Sequence, residues 1–212
     1  METITEKQFN DMLTGAEKVN LRNVYPWAKR DDGKMSRHAR AAANMRKELR
    51  LAFPGIKFQV QAQAYSMGTS IHVHWELGPT EKQVREITSK YQYGWFDGMV
   101  DLYEYDHSPE STAVGEILGQ VKHVIEQRRI PDGWLDAIAR DLCKLQGIEY
   151  AGPYTMHLMG DRDPDPVDRH AMHHVWNQSF PPGAKYRGVR FVTAQEWEQA
   201  PAGIFAVIET DN

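Results

Sequence analysis

Cysteine is almost missing from this chain. Cys143 is the only one, which excludes an internal disulfide and fits a reducing compartment. It falls on an apolar pattern of helical spacing and reads as a small core residue. No run approaches about 18 consecutive apolar residues, so no membrane-spanning helix is expected. The opening METITEKQFNDML has no long apolar stretch, and no signal peptide is expected. Catalytic signatures are missing too. There is no Walker loop, dinucleotide fingerprint, nucleophile elbow or paired CxxC motif. Internal repeats and low-complexity tracts are also absent. These gaps point to a soluble cytoplasmic protein and away from the nucleotide- and thiol-dependent enzymes.

What is present is enough for a real core. The chain has 212 residues, 41% of them hydrophobic and 25% charged, a globular composition that excludes general disorder. A net charge of -4 argues against a wholly basic nucleic-acid binder. The charge is unevenly spread, however. Lys29 to Lys57 holds nine basic and three acidic residues, and Glu76 to Glu116 holds nine acidic and three basic.

The clearest local signals lie between Ser36 and Asp106. Ser36 predicts the N-cap of a helix through Ala52, with Met45, Leu49, Ala52 and Phe53 facing inward. Pro54-Gly55 ends it. Residues 56–65 alternate apolar and polar, as do 70–77, and Gly68 lies in the turn between them. A helix over 81–91 follows, then an Asp97-Gly98 turn and a third strand around 100–105. The second half predicts a helix from Ser111 or Thr112 to Arg128, with Val114, Ile117, Leu118, Val121 and Ile125 inside. Another is expected over 133–146 with Gly147 after it, the two forming an αα-hairpin. Short strands are expected at 152–159, 186–192 and 203–209, and helices at 3–14, 165–178 and 193–199. The fold class is therefore α+β: a small antiparallel sheet built on a 56–77 hairpin, with helices packed mainly on one face. A helical hairpin and short strands complete the C-terminal half. The expected domains are an N-terminal helix and extension over 1–35, a helix–hairpin–helix–strand domain over 36–108, and a mixed domain over 109–212.

Within this frame sits an ordered series of motifs. It runs Arg46-Lys47-Glu48-Leu49, Phe53-Pro54-Gly55-Ile56-Lys57-Phe58, Gly68 with Ser70-Ile71, Trp75, Gly78-Pro79-Thr80-Glu81-Lys82-Gln83-Val84, and Phe96-Asp97-Gly98-Met99. The series resembles the large polyvalent protein associated domains, class twenty-nine, over roughly residues 38–106. The resemblance implies carriage on a phage or conjugative element. It also implies work in the cytoplasm of the invaded host cell, often against host defences. Such domains usually sit in much larger multidomain proteins, and the family supplies no catalytic residue to carry over.

Four constellations are candidates for function. Arg37, Arg40, Arg46, Lys47 and Arg50 line a helix that suits a phosphate backbone or an acidic protein surface, including another copy of the chain. Asp97, Asp101 and Glu104, with Asp106, form an acidic, aromatic stretch. It suits magnesium, acid–base work, or competition with nucleic acid for a basic protein, and Asp97 also fits a plain turn residue. His72 and His74 share one face of the second strand, as a two-histidine metal or phosphate site or simply a polar face. His157, His170 and His174 lie in a His/Asp-rich segment where zinc or another divalent metal is conceivable. No Glu follows His170, so the zinc-protease motif is not formed. The leading reading is a non-enzymatic binding protein with no required cofactor. It would counteract a host defence complex of CRISPR or restriction type by protein or nucleic-acid binding, with no membrane partner and homo-oligomerisation as a further arrangement. The alternatives are a metal-dependent hydrolase or nuclease using the His157–His174 cluster, and a DNA-binding accessory protein of conjugation or replication.

Overall fold

The computed structural model describes residues 23–99, 101–150, 167–201 and 204–211, with the side chains of 167–170 outside the description. The helix expected over 3–14 and the strand expected over 152–159 lie outside the described residues. The architecture is α+β, with six helices and seven strands among the described residues. The chain divides into two compact units, Met1–His74 with Lys82–Gln127, and Trp75–Glu81 with Arg128–Asn212.

The first unit is built on helix α1, Arg37–Ala52. The Ser36 hydroxyl accepts the Ala39 N–H at its start, and the Phe53 N–H donates to Leu49 at its end. Gly55 then takes a φ of 86°, which breaks the chain away from the helix. Ala41, Ala42, Met45 and Leu49 are buried along one stripe. Ala52 is exposed, contrary to the expected inward face, because the helix stops before its last turn is covered. Asn44 is buried on the same side. Its amide donates to the Lys29 and Leu118 carbonyls at 3.0 and 2.9 Å, and its oxygen accepts the Lys29 N–H.

Strands β1, Gln59–Tyr65, and β2, Gly68–Glu76, pair antiparallel from Tyr65↔Gly68 to Gln59↔His74. Gly68 has φ 153°, a conformation that favours glycine at this turn, and a Cβ there would push aside the flexible Lys122 side chain 2.8 Å away. Directly opposed residues share a face of a sheet. Val60, Ile71 and Val73 are buried on the side against which α1 packs. Gln59, Gln61 and Gln63 are exposed on the other side, with His72 and His74 half-buried opposite them. The helices thus cover one face, as the alternation predicts.

Helix α2, Glu81–Thr88, continues as a 3-10 turn to Tyr91 and buries Val84, Thr88 and Tyr91. A two-stranded hairpin follows, β3 Gly94–Asp97 and β4 Leu102–Tyr105. The helix expected from 111 to 128 is not formed. Helix α3 spans Pro109–Leu118 only, and residues His123–Arg129 are strand β5. The break is Gly119, with φ 80° and its Cβ direction blocked 2.5 Å away by the Arg37 carbonyl. Beyond it, the Lys122 N–H donates to Thr69 where β5 begins, and the Leu77 N–H donates to Arg129 where it ends. β5 therefore runs beside β2 in the same direction, giving the order β1-β2-β5. The αα-hairpin of 111–128 with 133–146 is corrected accordingly. The helix pair in this half is α4, Trp134–Gln146, packed on α5, Val167–Trp176.

The second unit has its own core. Leu77, Ile138, Leu142, Cys143, Val175, Phe180 and Ile208 are buried in it, and Cys143 is the small core residue expected from its spacing. Strands β6, Lys185–Phe191, and β7, Ala206–Asp211, pair antiparallel, joined through helix α6, Ala194–Trp197, which begins with a Thr193/Glu196 capping box. The most connected polar group here is Arg128, only 7% exposed. Its guanidinium donates to the carbonyls of Leu77, Gly78, Val175 and Gln178 at 2.8 to 3.0 Å and lies over the Phe180 ring. Leu77 and Gly78 have φ values of 52° and 60°. That pair of left-handed residues turns the chain where two adjacent carbonyls meet one guanidinium.

A candidate interaction surface on the aromatic hairpin

The basic helix does less at the surface than its composition suggests. Arg40 is 4% exposed and forms an ion pair with Asp31 at 2.5 Å. It shares the buried stripe of Asn44, four residues on, so helical geometry turns it inward. Arg46 donates to the Val60 carbonyl at 2.6 Å and Lys47 to the Trp27 carbonyl at 2.9 Å. Both hold neighbouring segments against α1. Arg37, Arg46, Lys47 and Arg50 are on the exposed side. Glu48, within the same helix, pairs with Lys90 and accepts the Tyr91 hydroxyl.

The acidic candidates gather on the β3–β4 hairpin. Its register pairs Trp95 with Glu104, Asp97 with Leu102, Phe96 with Tyr103 and Gly94 with Tyr105. Trp95, Glu104, Asp97 and Leu102 thus share one face, and Phe96, Tyr103 and Tyr105 the other. The second face is anchored. The Tyr93 and Tyr105 rings stack at 5.8 Å, and the Tyr103 ring meets Tyr105 and His123 edge-on at 5.1 and 5.3 Å. Lys122 Nζ lies 4.9 Å above the Tyr103 ring, and the Tyr103 hydroxyl donates to the Lys122 carbonyl at 2.6 Å. Burial and the neighbouring tyrosines push that hydroxyl up, so it stays a donor at neutral pH. Burial, with Lys122 adding to it, pushes His123 down and favours the neutral ring. Backbone bonds from Tyr93 to Val121 and from Asp106 to Tyr93 fix the hairpin's base. A Cβ on Gly94 would lie 2.1 Å from the Glu104 carbonyl, so the two strands close only with glycine there.

The first face is open. Trp95 is 51% and Leu102 62% exposed there, and Met99 in the turn is 93% exposed, while on the tyrosine face Phe96 at 57% and Tyr105 at 53% also reach solvent. Several exposed large apolar side chains gathered on one short element form a patch of the kind that marks interaction sites. Asp101 is exposed with φ 53°, Glu104 is exposed, and Asp97 accepts the Met99 N–H at 2.8 Å. Asp97 is thus a turn residue whose carboxylate also edges the patch. Asp97-Gly98 announced the turn, but β3 was not foreseen. Its signal was an Asp-Gly turn with aromatic and apolar residues on both sides.

The histidine candidates are placed apart. His72 and His74, both half-buried, stack at 6.2 Å on the polar face of β2, and His72 contacts the buried Ser70 hydroxyl. His157 and the His170 side chain lie outside the described residues. His174 is buried in the second unit, edge-on to Phe205 at 4.7 Å. It lines a pocket of about 270 Å³ with Asn177, Gln178, Glu196 and Gln199, closed by apolar residues that include Ile204 and, from β7, Ala206 and Val207. Arg190 and the Thr193 cap hold the Glu196 carboxyl down at about 2. Among the described residues, no group of three or more His, Cys, Asp or Glu side chains is placed to hold a metal ion. No helix among them is long and apolar enough to cross a membrane.

Residues 36–131, just under half of the chain, match the family model of large polyvalent protein associated domain 29. The match begins at the Ser36 cap and ends just past β5, and takes in the whole aromatic hairpin. It associates this segment with phages and mobile elements. No curated protein and no solved structure matches the chain.

Proposed function

We propose that this is a binding protein of a phage or conjugative element that acts in the host cytoplasm against a defence complex of CRISPR or restriction type. It binds a protein component of that complex through the β3–β4 hairpin. One observation carries this reading: the hairpin is held through Tyr93, Tyr103 and Tyr105 on one face and leaves Trp95 and Leu102 open on the other. Exposed tryptophan on a fixed element is the residue type that most often dominates an interface. The family match supports the mobile-element setting. Binding by α1 to a phosphate backbone is the weaker reading, because Arg40 is buried and Arg46 and Lys47 are engaged with the backbone.

Phage plating tests the proposal. A host strain carrying an active defence system is given the full chain or the Trp95→Ala/Leu102→Ala variant. The full chain is expected to raise plating efficiency by at least 10-fold. The variant, with unchanged thermal unfolding, is expected to return it to the restricted baseline that the empty vector gives in the same host. Equal protection by both proteins removes the hairpin from the mechanism. Protection by neither, across CRISPR and restriction hosts, removes the anti-defence role.

A further inference from the structure

We infer that the hairpin's partner is a protein whose groove ordinarily holds a nucleic-acid strand, and that the hairpin occupies this groove in the strand's place. The inference rests on the binding role proposed above and names the chemistry of the partner.

The outer face alternates in two directions. Trp95 stands opposite Glu104, and Asp97 opposite Leu102. Carboxylates therefore lie on one diagonal and apolar side chains on the other, with diagonal neighbours about 7–8 Å apart on such a sheet. Between Gly94 and Glu110 there are five carboxylates and no lysine or arginine. Grooves that hold single-stranded nucleic acid combine cations that track the phosphates with platforms on which bases stack. A surface that sets one indole between two carboxylates, Asp97 along its own strand and Glu104 across from it, meets both needs. A purely apolar groove would not, since it would desolvate Glu104 and Asp97 without compensation. An ordinary basic surface would leave Trp95 and Leu102 without a place to be buried. The Asp97 bond to Met99 and the stacked tyrosines fix this pattern before binding, which lowers the entropic cost of docking.

The test uses the full chain immobilised on a resin and a nuclease-treated extract of the host. Capture of a protein is not enough. Bound protein is challenged with the oligonucleotide dT30 and, separately, with polyglutamate of equal charge, at one fixed salt concentration. Displacement by dT30 at a concentration at least 10-fold lower than polyglutamate is the expected result. Two variants accompany it, Trp95→Ala, and Asp97→Asn with Glu104→Gln, which keeps an acceptor for the Met99 N–H. Each is expected to reduce capture at least 10-fold, and the amide variant to flatten the salt dependence of binding. Capture that resists dT30, capture of the chain's own copies only, or an amide variant that binds as well as the parent overturns the inference and leaves protein binding itself standing. No capture at all overturns both.

Discussion

At the scale of single residues, Arg128 has the greatest leverage. A buried guanidinium costs desolvation, and burial pushes its pKa down to about 10, so it stays charged at neutral pH. Four carbonyls and one aromatic face compensate it. Removing one member of such a cluster strands the others. Arg128→Met is expected to lower stability by about 3–5 kcal/mol, read as the shift of a urea midpoint at constant slope. Arg128→Lys should recover only part of this, because an ammonium has three donors and no plane with which to reach four acceptors. Side-chain type alone did not announce this role. In the sequence Arg128 is one of two adjacent arginines at the end of an expected helix, and its partners sit about 50 residues away on both sides. Arg40 misled in the same way. It reads like its basic neighbours, and only the burial of its stripe beside Asn44 separates it from them.

At the scale of elements, local rules worked where the local signal was complete. Ser36, Pro54-Gly55 and the period-two runs placed α1, β1 and β2 because caps, breakers and alternation act within a few residues. Gly147 closed α4 for the same reason, in a φ of 70°. The stretch 111–128 failed because Val114, Ile117, Leu118, Val121 and Ile125 satisfy helical spacing straight across Gly119. What turns the second half into β5 is non-local: the backbone of α1 lying against Gly119, and the open edge of β2. This explanation can be measured. Gly119→Ala meets both a positive φ and the Arg37 carbonyl, and is expected to cost about 2–3 kcal/mol. Gly133→Ala has a similar φ of 82° but nothing within 4 Å of the added carbon, and should cost about 1 kcal/mol. Equal losses in urea unfolding would mean that the close approach to α1 is not what ends the helix. The hairpin was half visible. Its turn and carboxylates stood out, while the outward aim of Trp95 depends on a pairing register that alternation in a four-residue strand is too short to reveal.

At the scale of the whole molecule, the two compact units do not follow the chain as two consecutive pieces. The segment Trp75–Glu81 belongs with residues from Arg128 onward, although it lies in the middle of the first unit's sequence. The family match ends at residue 131, just after Arg128 and before Val175, Gln178 and Phe180. A fragment of residues 23–131 is therefore expected to keep the signature of α1 and the β1–β2 hairpin but to unfold at lower temperature and with less cooperativity than the full chain. Circular dichroism melting compares the two. A fragment that melts as sharply and as high as the parent would show that the carbonyl ring around Arg128 is dispensable.

That ring also bears on heredity. Recombination moves stretches of gene, and a stretch ending at residue 131 would arrive in a new chain with a buried cation and half of its acceptors left behind. Such a transfer loses stability unless the recipient supplies two carbonyls and an aromatic face, or Arg128 changes first. The matched stretch and the compact units have different bounds here, and descent would favour keeping Arg128 together with its distant acceptors.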